Sequence, residues 1–154
     1  MKKINSYNFK NSMSKFATGV TVVSINDNNA FIGKTVNSFS SLSLKPPLVL
    51  FSLDKKSSSL IKFKNKSYIG INILSIKQKK LSENFANKKS QWSNTEYFLS
   101  KNNVPMIKNS VVNLSCQKIK TLVNGDHIIF ICKVIETNIN EKIKPLIYVN
   151  NKYR

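Results

Sequence analysis

The chain has 154 residues, 41% of them hydrophobic and 10% aromatic, which suits one packed domain over residues 1–154 and argues against both two domains and disorder. Its 25 basic residues against 7 acidic ones give a formal charge of +18, but the lysines are dispersed from Lys2 to Lys152 and Arg154 is the only arginine. Nucleic-acid readers lean on arginine for bidentate contacts, so the charge reads as compositional, in a chain also rich in Asn and Ile, and no nucleic-acid partner is expected. A positive field still favours phosphate-bearing ligands. Cys116 and Cys132 lack metal-ligand spacing and read as small buried hydrophobes in a reducing compartment, so no metal is expected. No apolar stretch approaches the roughly 20 residues of a membrane span, and Met1–Asn5 has no secretory apolar region. A cytoplasmic protein without a membrane partner is the expectation.

Phe9, Met13, Phe16 and Ala17 recur at helical spacing, which predicts an amphipathic helix over 8–18 closed by Gly19. The β-branched run 20–25, the turn-rich cluster Asn26–Asn29 and the return strand 30–36 read as a hairpin. A polar loop over 37–45 follows, and Pro46-Pro47 blocks any helix before an apolar strand at 48–53. Residues 57–63 suit a short helix with hydroxyls at its first turn, and 68–74 alternates as a strand. Ser75 is placed to cap a helix running to about Ala86, with Ile76, Leu81 and Phe85 as its apolar stripe. Residues 87–109 read as polar and irregular, anchored by Trp92, Tyr97 and Phe98. Strands at 111–123 and 127–137 flank Asn124-Gly125-Asp126, and a last strand covers 146–149. Short strands with hairpin turns argue for a closed antiparallel barrel over a parallel sheet. No Gly-x-Gly-x-x-Gly is present, so a Rossmann site has no support.

Four clusters carry candidate chemistry. The first, Gly33 to Ser43, ends a strand and fills the next loop with hydroxyls and amides suited to a hydrogen-bonding ligand edge. Serine-rich loops are also common without function. The second, Asp54-Lys55-Lys56-Ser57-Ser58-Ser59, is either a phosphate cradle or a capped, solvated helix start. The third, Gly125-Asp126-His127, holds the only histidine, which either shapes the turn or donates to a ligand carbonyl or ring nitrogen or holds a carboxamide. In the fourth, Tyr148 and Tyr153 either wall a planar ligand or pack the last strand, and Arg154 is placed to meet a phosphate. No Gly-x-Ser-x-Gly and few paired carboxylates are present, so hydrolytic chemistry fares worse.

Taken in order, these segments resemble the flavin reductase-like family, the small NAD(P)H:flavin oxidoreductases that partner two-component monooxygenases such as the 4-hydroxyphenylacetate hydroxylase system. The resemblance runs from about Phe9 to Arg154. It rests on Phe16-Ala17-Thr18-Gly19-Val20-Thr21-Val22-Val23, the loop Thr35 to Ser43 with Pro46-Pro47, and Lys55-Lys56-Ser57-Ser58-Ser59. It continues through Ile71-Asn72-Ile73-Leu74, Leu81-Ser82-Glu83-Asn84-Phe85-Ala86, Gly125-Asp126-His127 and the tail from Pro145 to Arg154.

The resemblance implies a mainly β, FMN-binding split β-barrel of about six antiparallel strands with peripheral helices, working as a homodimer. It implies FMN or FAD as cofactor and NADH or NADPH as hydride donor, with reduced flavin passing to a partner monooxygenase. Lys34, Thr35, Val36, Asn37 and Ser38, with Ser40 and Ser41, would line the flavin and its ribityl chain. Lys55, Lys56 and Ser57 would approach its phosphate, and Asn87 and Lys88 would lie beside the ring or adenylate. His127, Tyr148, Tyr153 and Arg154 would face the nicotinamide, His127 being the catalytic candidate. Hydride transfer between stacked rings needs alignment and water exclusion but no obligatory acid or base, consistent with a chain that shows no catalytic dyad. Two positions depart from the family: a hydrophobic residue often stands at the place of Lys34, and a glycine at that of Asn151. The alternative is a split-barrel protein that binds flavin as a sensor or carrier without reducing it.

Overall fold

The computed structural model describes residues 3–87 and 92–154. Helix α1 (Ser6–Ser14) begins where the Asn5 side chain accepts from the Asn8 N–H at 2.8 Å. Strand β1 (Thr18–Gly19) leads into the hairpin of β2 (Thr21–Asp27) and β3 (Ala30–Val36), whose loop residues Asn28 and Asn29 take φ of 55° and 69°. Both loop positions of a type I′ hairpin need positive φ, and asparagine tolerates it better than most residues. Next come β4 (Ser40–Ser43), β5 (Leu48–Asp54), α2 (Leu60–Asn65) and β6 (Tyr68–Ile73). A 3₁₀ turn at Ile76–Gln78 enters α3 (Lys79–Ala86), and the small hairpin β7 (Tyr97–Leu99) and β8 (Pro105–Ile107) follows. The long strands β9 (Val112–Asn124) and β10 (His127–Ile139) precede a tail of β11 (Ile147–Val149) and β12 (Lys152–Tyr153).

The mainly β, antiparallel architecture is the expected one, but the ladder is neither six-stranded nor closed. Seven strands pair in the order β3-β2-β6-β9-β10-β5-β4, with β3 and β4 at the edges. The curled sheet brings β3 against β5, yet β5 already uses one edge on β10 and the other on β4, so β3 has no ladder to join. A seam results, and the candidate site lies along it.

The core explains why β2 reads as a continuous apolar run: Thr21 to Ile25 are all buried, because both faces of the strand are covered. Val23 and Ile25 face the inside of the curl with Ile69, Ile71, Phe51 and Phe130. Phe51 and Phe130 stack at 4.9 Å across paired strands, and Phe63 of α2 meets both edge-on at 6.4 Å, closing the interior. Val20 and Val22 face the other way, toward Phe85 of α3, Ile107 of β8 and Leu146.

Three local expectations shift. The first helix ends by Ser14 instead of at Gly19, because Thr18 and Gly19 pair with Tyr148 and Ile147. The second starts at Leu60, after Ser57–Ser59 have formed a turn. Within the supposedly irregular 87–109 segment, Tyr97–Leu99 and Pro105–Ile107 pair as strands. Each is only three residues long, too short to show a period. Trp92 and Tyr97 do anchor that segment, packing edge-on against Phe31, although the Tyr97 and Phe98 side chains both stay partly exposed.

Candidate functional site

Across the seam, Lys34 to Ser38 of β3 and the residues just after it face Ser52, Leu53 and Asp54 of β5, with Ser57 and His127 at one end. They enclose a cavity of about 220 Å³. Its walls are apolar at Val36 and Leu53 and polar at Asn37, Ser57 and His127, the mix a planar ring with a hydrogen-bonding edge requires. Ser38 pins the loop to the opposite strand: its hydroxyl donates to the Ser52 carbonyl and accepts from the Ser52 N–H, both at 3.0 Å. That hydroxyl is therefore structural, holding the Asn37–Ser38 backbone at the cavity edge.

The other wall is bolted to α3. Thr35 Oγ1 donates to the Ser82 carbonyl at 2.7 Å, and Lys34 Nζ donates to the Ala86 carbonyl at 3.1 Å. Gly33 permits this approach: a Cβ there would lie 2.6 Å from the Phe85 ring. Thr35, Val36 and Asn37 also face a second cavity of about 260 Å³, closed by Val20, Tyr148 and Tyr153. The tyrosine rings meet edge-on at 5.2 Å, and the Tyr153 hydroxyl lies 3.0 Å from Ser82 Oγ. Both cavities therefore share Thr35–Asn37, and α3 holds Thr35 and Tyr153 in place through Ser82.

The tail is held firmly. Asn150 and Asn151 take φ of 52° and 58°, so Asn151 adopts the backbone that a glycine would supply. Asn150 also binds α1, its N–H donating to the Ser14 carbonyl at 2.6 Å and its side chain accepting from Lys15 Nζ at 2.9 Å. The departure at this position preserves the turn.

His127 opens β10 after a two-residue loop in which Gly125 has φ +56°, the first loop position that a II′-type turn reserves for glycine. Its Nδ1 lies 2.7 Å from Asp126 Oδ1. An ionised carboxylate only accepts, so Nδ1 carries the proton and the neutral ring presents Nε2 as an acceptor. Donation from Nε2 would require the imidazolium. The His127 hydrogen bond, followed by one from backbone N–H, holds the exposed Asp126 carboxyl below its usual range.

The remaining candidates lie elsewhere. Ser40 and Ser41 sit on the exposed edge strand β4, outside both cavities. Lys55 turns away, its Nζ donating to the Gly125 carbonyl at 2.6 Å, and the Lys56 N–H donates to Asp54 Oδ1 at 2.7 Å. Asn87 lines a neighbouring cavity with Lys34. Arg154 is exposed and pairs through its backbone with Ile147, while Lys88 lies outside the described residues. Sequence reasoning missed Ser52 and Leu53, hidden in an apolar run; the lone serine at 52 was the available signal. No group of metal-ligating side chains occurs among the described residues. Two further cavities, beside Phe98 and Glu136 and beside Lys77 and Asn84, hold none of the four clusters.

The chain is 36% identical over 131 residues to an FMN reductase (NADH), SmoA, of Agrobacterium fabrum, covering 85% of this chain and 75% of that protein. It is 30% identical to the reductase component of 4-hydroxyphenylacetate 3-monooxygenase of Thermus thermophilus, over 95% of this chain and 93% of the relative. The solved structure of flavin reductase PheA2 in its native state superposes with a TM-score of 0.92 at 38% identity, covering 98% of this chain and 97% of that one. The flavin reductase like domain model matches residues 13–154, and the chain belongs to that family.

Proposed function

We propose that this flavin reductase transfers a hydride from NADH or NADPH to FMN or FAD held in the seam between β3 and β5, and passes the reduced flavin to a separate monooxygenase component. The observation that carries this is the pair of cavities meeting at Thr35–Asn37, one lined by Ser57 and His127 and the other by the two tail tyrosines. The donor set fits the flavin: an amide, a hydroxyl and an imidazole surround an apolar slot, so the ring edge finds partners and its face finds packing. When bound, the flavin supplies the electron-accepting chemistry, and the chain supplies alignment. Asn37 and Ser57 bind the polar edge and tail. Tyr148 and Tyr153, fixed against α3 through Ser82, wall the place where the nicotinamide lies and keep water from it. His127, oriented by Asp126, stands in the flavin cavity and outside the tyrosine-walled one, so its Nε2 meets the nicotinamide carboxamide over the flavin ring. No acid–base dyad is required.

Relatives named as reductases favour this reading over a flavin carrier. Oxidation of NADH and NADPH followed at 340 nm with FMN, FAD and riboflavin tests it. Turnover in at least one combination is expected. Flavin retention with no turnover in any combination would leave the carrier.

The working unit in this proposal is a cytoplasmic homodimer. Helix α1 buries no residue in the single chain, and Tyr7, Phe9 and Phe16 are 77%, 56% and 67% exposed. Ile119 and Val123 on the β9–β10 hairpin are equally uncovered. A second copy would cover such side chains. No helix among the described residues is long and apolar enough to cross a membrane.

A further inference from the structure

Both reactants of a spontaneous backbone reaction stand uncovered beside His127. Of the chain's 4 glycines, only Gly125 follows an asparagine. Asn124 ends β9 at the tip of the β9–β10 hairpin and is exposed, and its side-chain amide bonds no group among the described residues. The Gly125 N–H is equally free, donating to no carbonyl or side chain there. Glycine adds no Cβ to obstruct the approach of its nitrogen to the Asn124 amide carbon. Lys55 Nζ donates to the Gly125 carbonyl at 2.6 Å, so a cation stands on the residue whose nitrogen must become an anion.

We propose that Asn124 is a deamidation site whose isoaspartate product displaces His127, so that the reductase loses its hold on the nicotinamide as it ages. The effect on turnover rests on the function proposed above; the modification itself does not. The Gly125 nitrogen gives its proton to hydroxide and attacks Asn124 Cγ. The N–Cγ bond forms, the Cγ–Nδ2 bond breaks, and ammonia leaves on taking a proton from water, which restores the hydroxide. Water then opens the cyclic imide at either carbonyl, giving aspartate or, with the main chain rerouted through Cγ, isoaspartate. No electrons are transferred, and water is the one co-reactant. Asn124 and His127 are direct cross-strand partners with only Gly125 and Asp126 between them. Loop length fixes the register of such a hairpin, so the extra backbone carbon of isoaspartate has no slack to enter. The start of β10 must shift, and with it the imidazole that shares a cavity with Asn37 and Ser57. The bonds from Lys55 to the Gly125 and Asp126 carbonyls, which tie the loop to the end of β5, go out of line as well.

Ageing the full chain at mildly alkaline pH, beside Asn124→Gln, tests this. Tryptic cleavage yields a peptide over 121–133 in which Asn124 is the one side-chain amide, so its conversion is read by mass without ambiguity. That peptide should convert faster than every other asparagine-bearing peptide, with isoaspartate, counted by isoaspartyl methyltransferase labelling, in excess over aspartate. His127 is the only histidine, so its imidazole resonances should gain a second set in step with conversion, a readout independent of activity. In the wild type but not in Asn124→Gln, the KM for NADH should climb about tenfold at full conversion, the worth of one hydrogen bond to a polar ligand group. Conversion of 121–133 no faster than elsewhere overturns the proposal. So does full conversion that leaves the histidine resonances or the KM of active protein unchanged, or an equal drift in Asn124→Gln. Fresh protein without turnover sinks the proposed function instead, and the peptide and histidine signals still judge the modification.

Discussion

Gly33 shows how one residue without a side chain sets the site. Its Cα lets the Phe85 ring approach within what would be 2.6 Å of a Cβ, and that approach brings α3 close enough for Thr35 and Lys34 to bond its carbonyls. Gly33→Ala forces an aromatic ring in a packed core to move, so thermal unfolding should show a loss of about 1–3 kcal/mol. His127 is the residue whose role in the proposed reaction is most exposed to test. His127→Ala should raise the KM for NADH about tenfold, the worth of one hydrogen bond to a polar ligand group, with a smaller change in kcat; an unchanged KM would assign the histidine to the turn alone. The sequence showed the hydroxyl-rich loop but not what each hydroxyl does. Ser38 and Thr35 spend their protons on backbone carbonyls, and such pairings depend on chain segments 14 and 47 residues away.

Among the elements, the β7–β8 hairpin is clipped to the sheet by Asn72, beside Ser24 and Asn113, which donate to the Pro105 and Ile107 carbonyls. Asn72 donates to the Val22 carbonyl and Ser24 Oγ, and its carbonyl oxygen accepts from the Ile107 N–H at 2.9 Å and from the Asn113 side chain at 2.8 Å. Asn72→Leu would leave the Ile107 N–H buried without that acceptor and cost about 2–3 kcal/mol. Hydrogen exchange should speed up at Met106 and Ile107 more than at β9 or β10. Strands β9 and β10 hold Cys116 and Cys132, both fully buried and unbridged. Burial pushes the Cys132 thiol up to about 12 and raises Cys116 as well. Because the folded values lie above the unfolded ones near 9.0, the stability these thiols contribute is intact below pH 9 and is lost as pH rises from there toward 12. Thiol reagents should label native protein slowly at pH 8 and both cysteines on unfolding. Most elements were legible because their patterns are local: the Asn-Asn and Gly-Asp loops and the alternation of 68–73 each name their own geometry. The three-residue strands were not, since their pairing partners and the Asn72 clip are long-range.

For the whole molecule, the open seam follows from pairing capacity: β5 has two edges, and β10 and β4 occupy both. Nothing local in the sequence encodes that, which is why a closed barrel was the natural expectation. The uncovered helix α1 and Phe16 just after it make a parallel prediction at this scale. Light scattering should give twice the mass of one chain, and Phe16→Glu should shift the population toward the monomer, with little change in a monomer's own stability because Phe16 is 67% exposed. The account as a whole requires that flavin sit in the seam. A crystal soaked with FMN should show the tricyclic ring between Val36 and Leu53, with its polar edge toward Asn37 and Ser57. Ring density beside Phe98 and Glu136, beside Lys77 and Asn84, or on any surface away from β3 and β5 would contradict it.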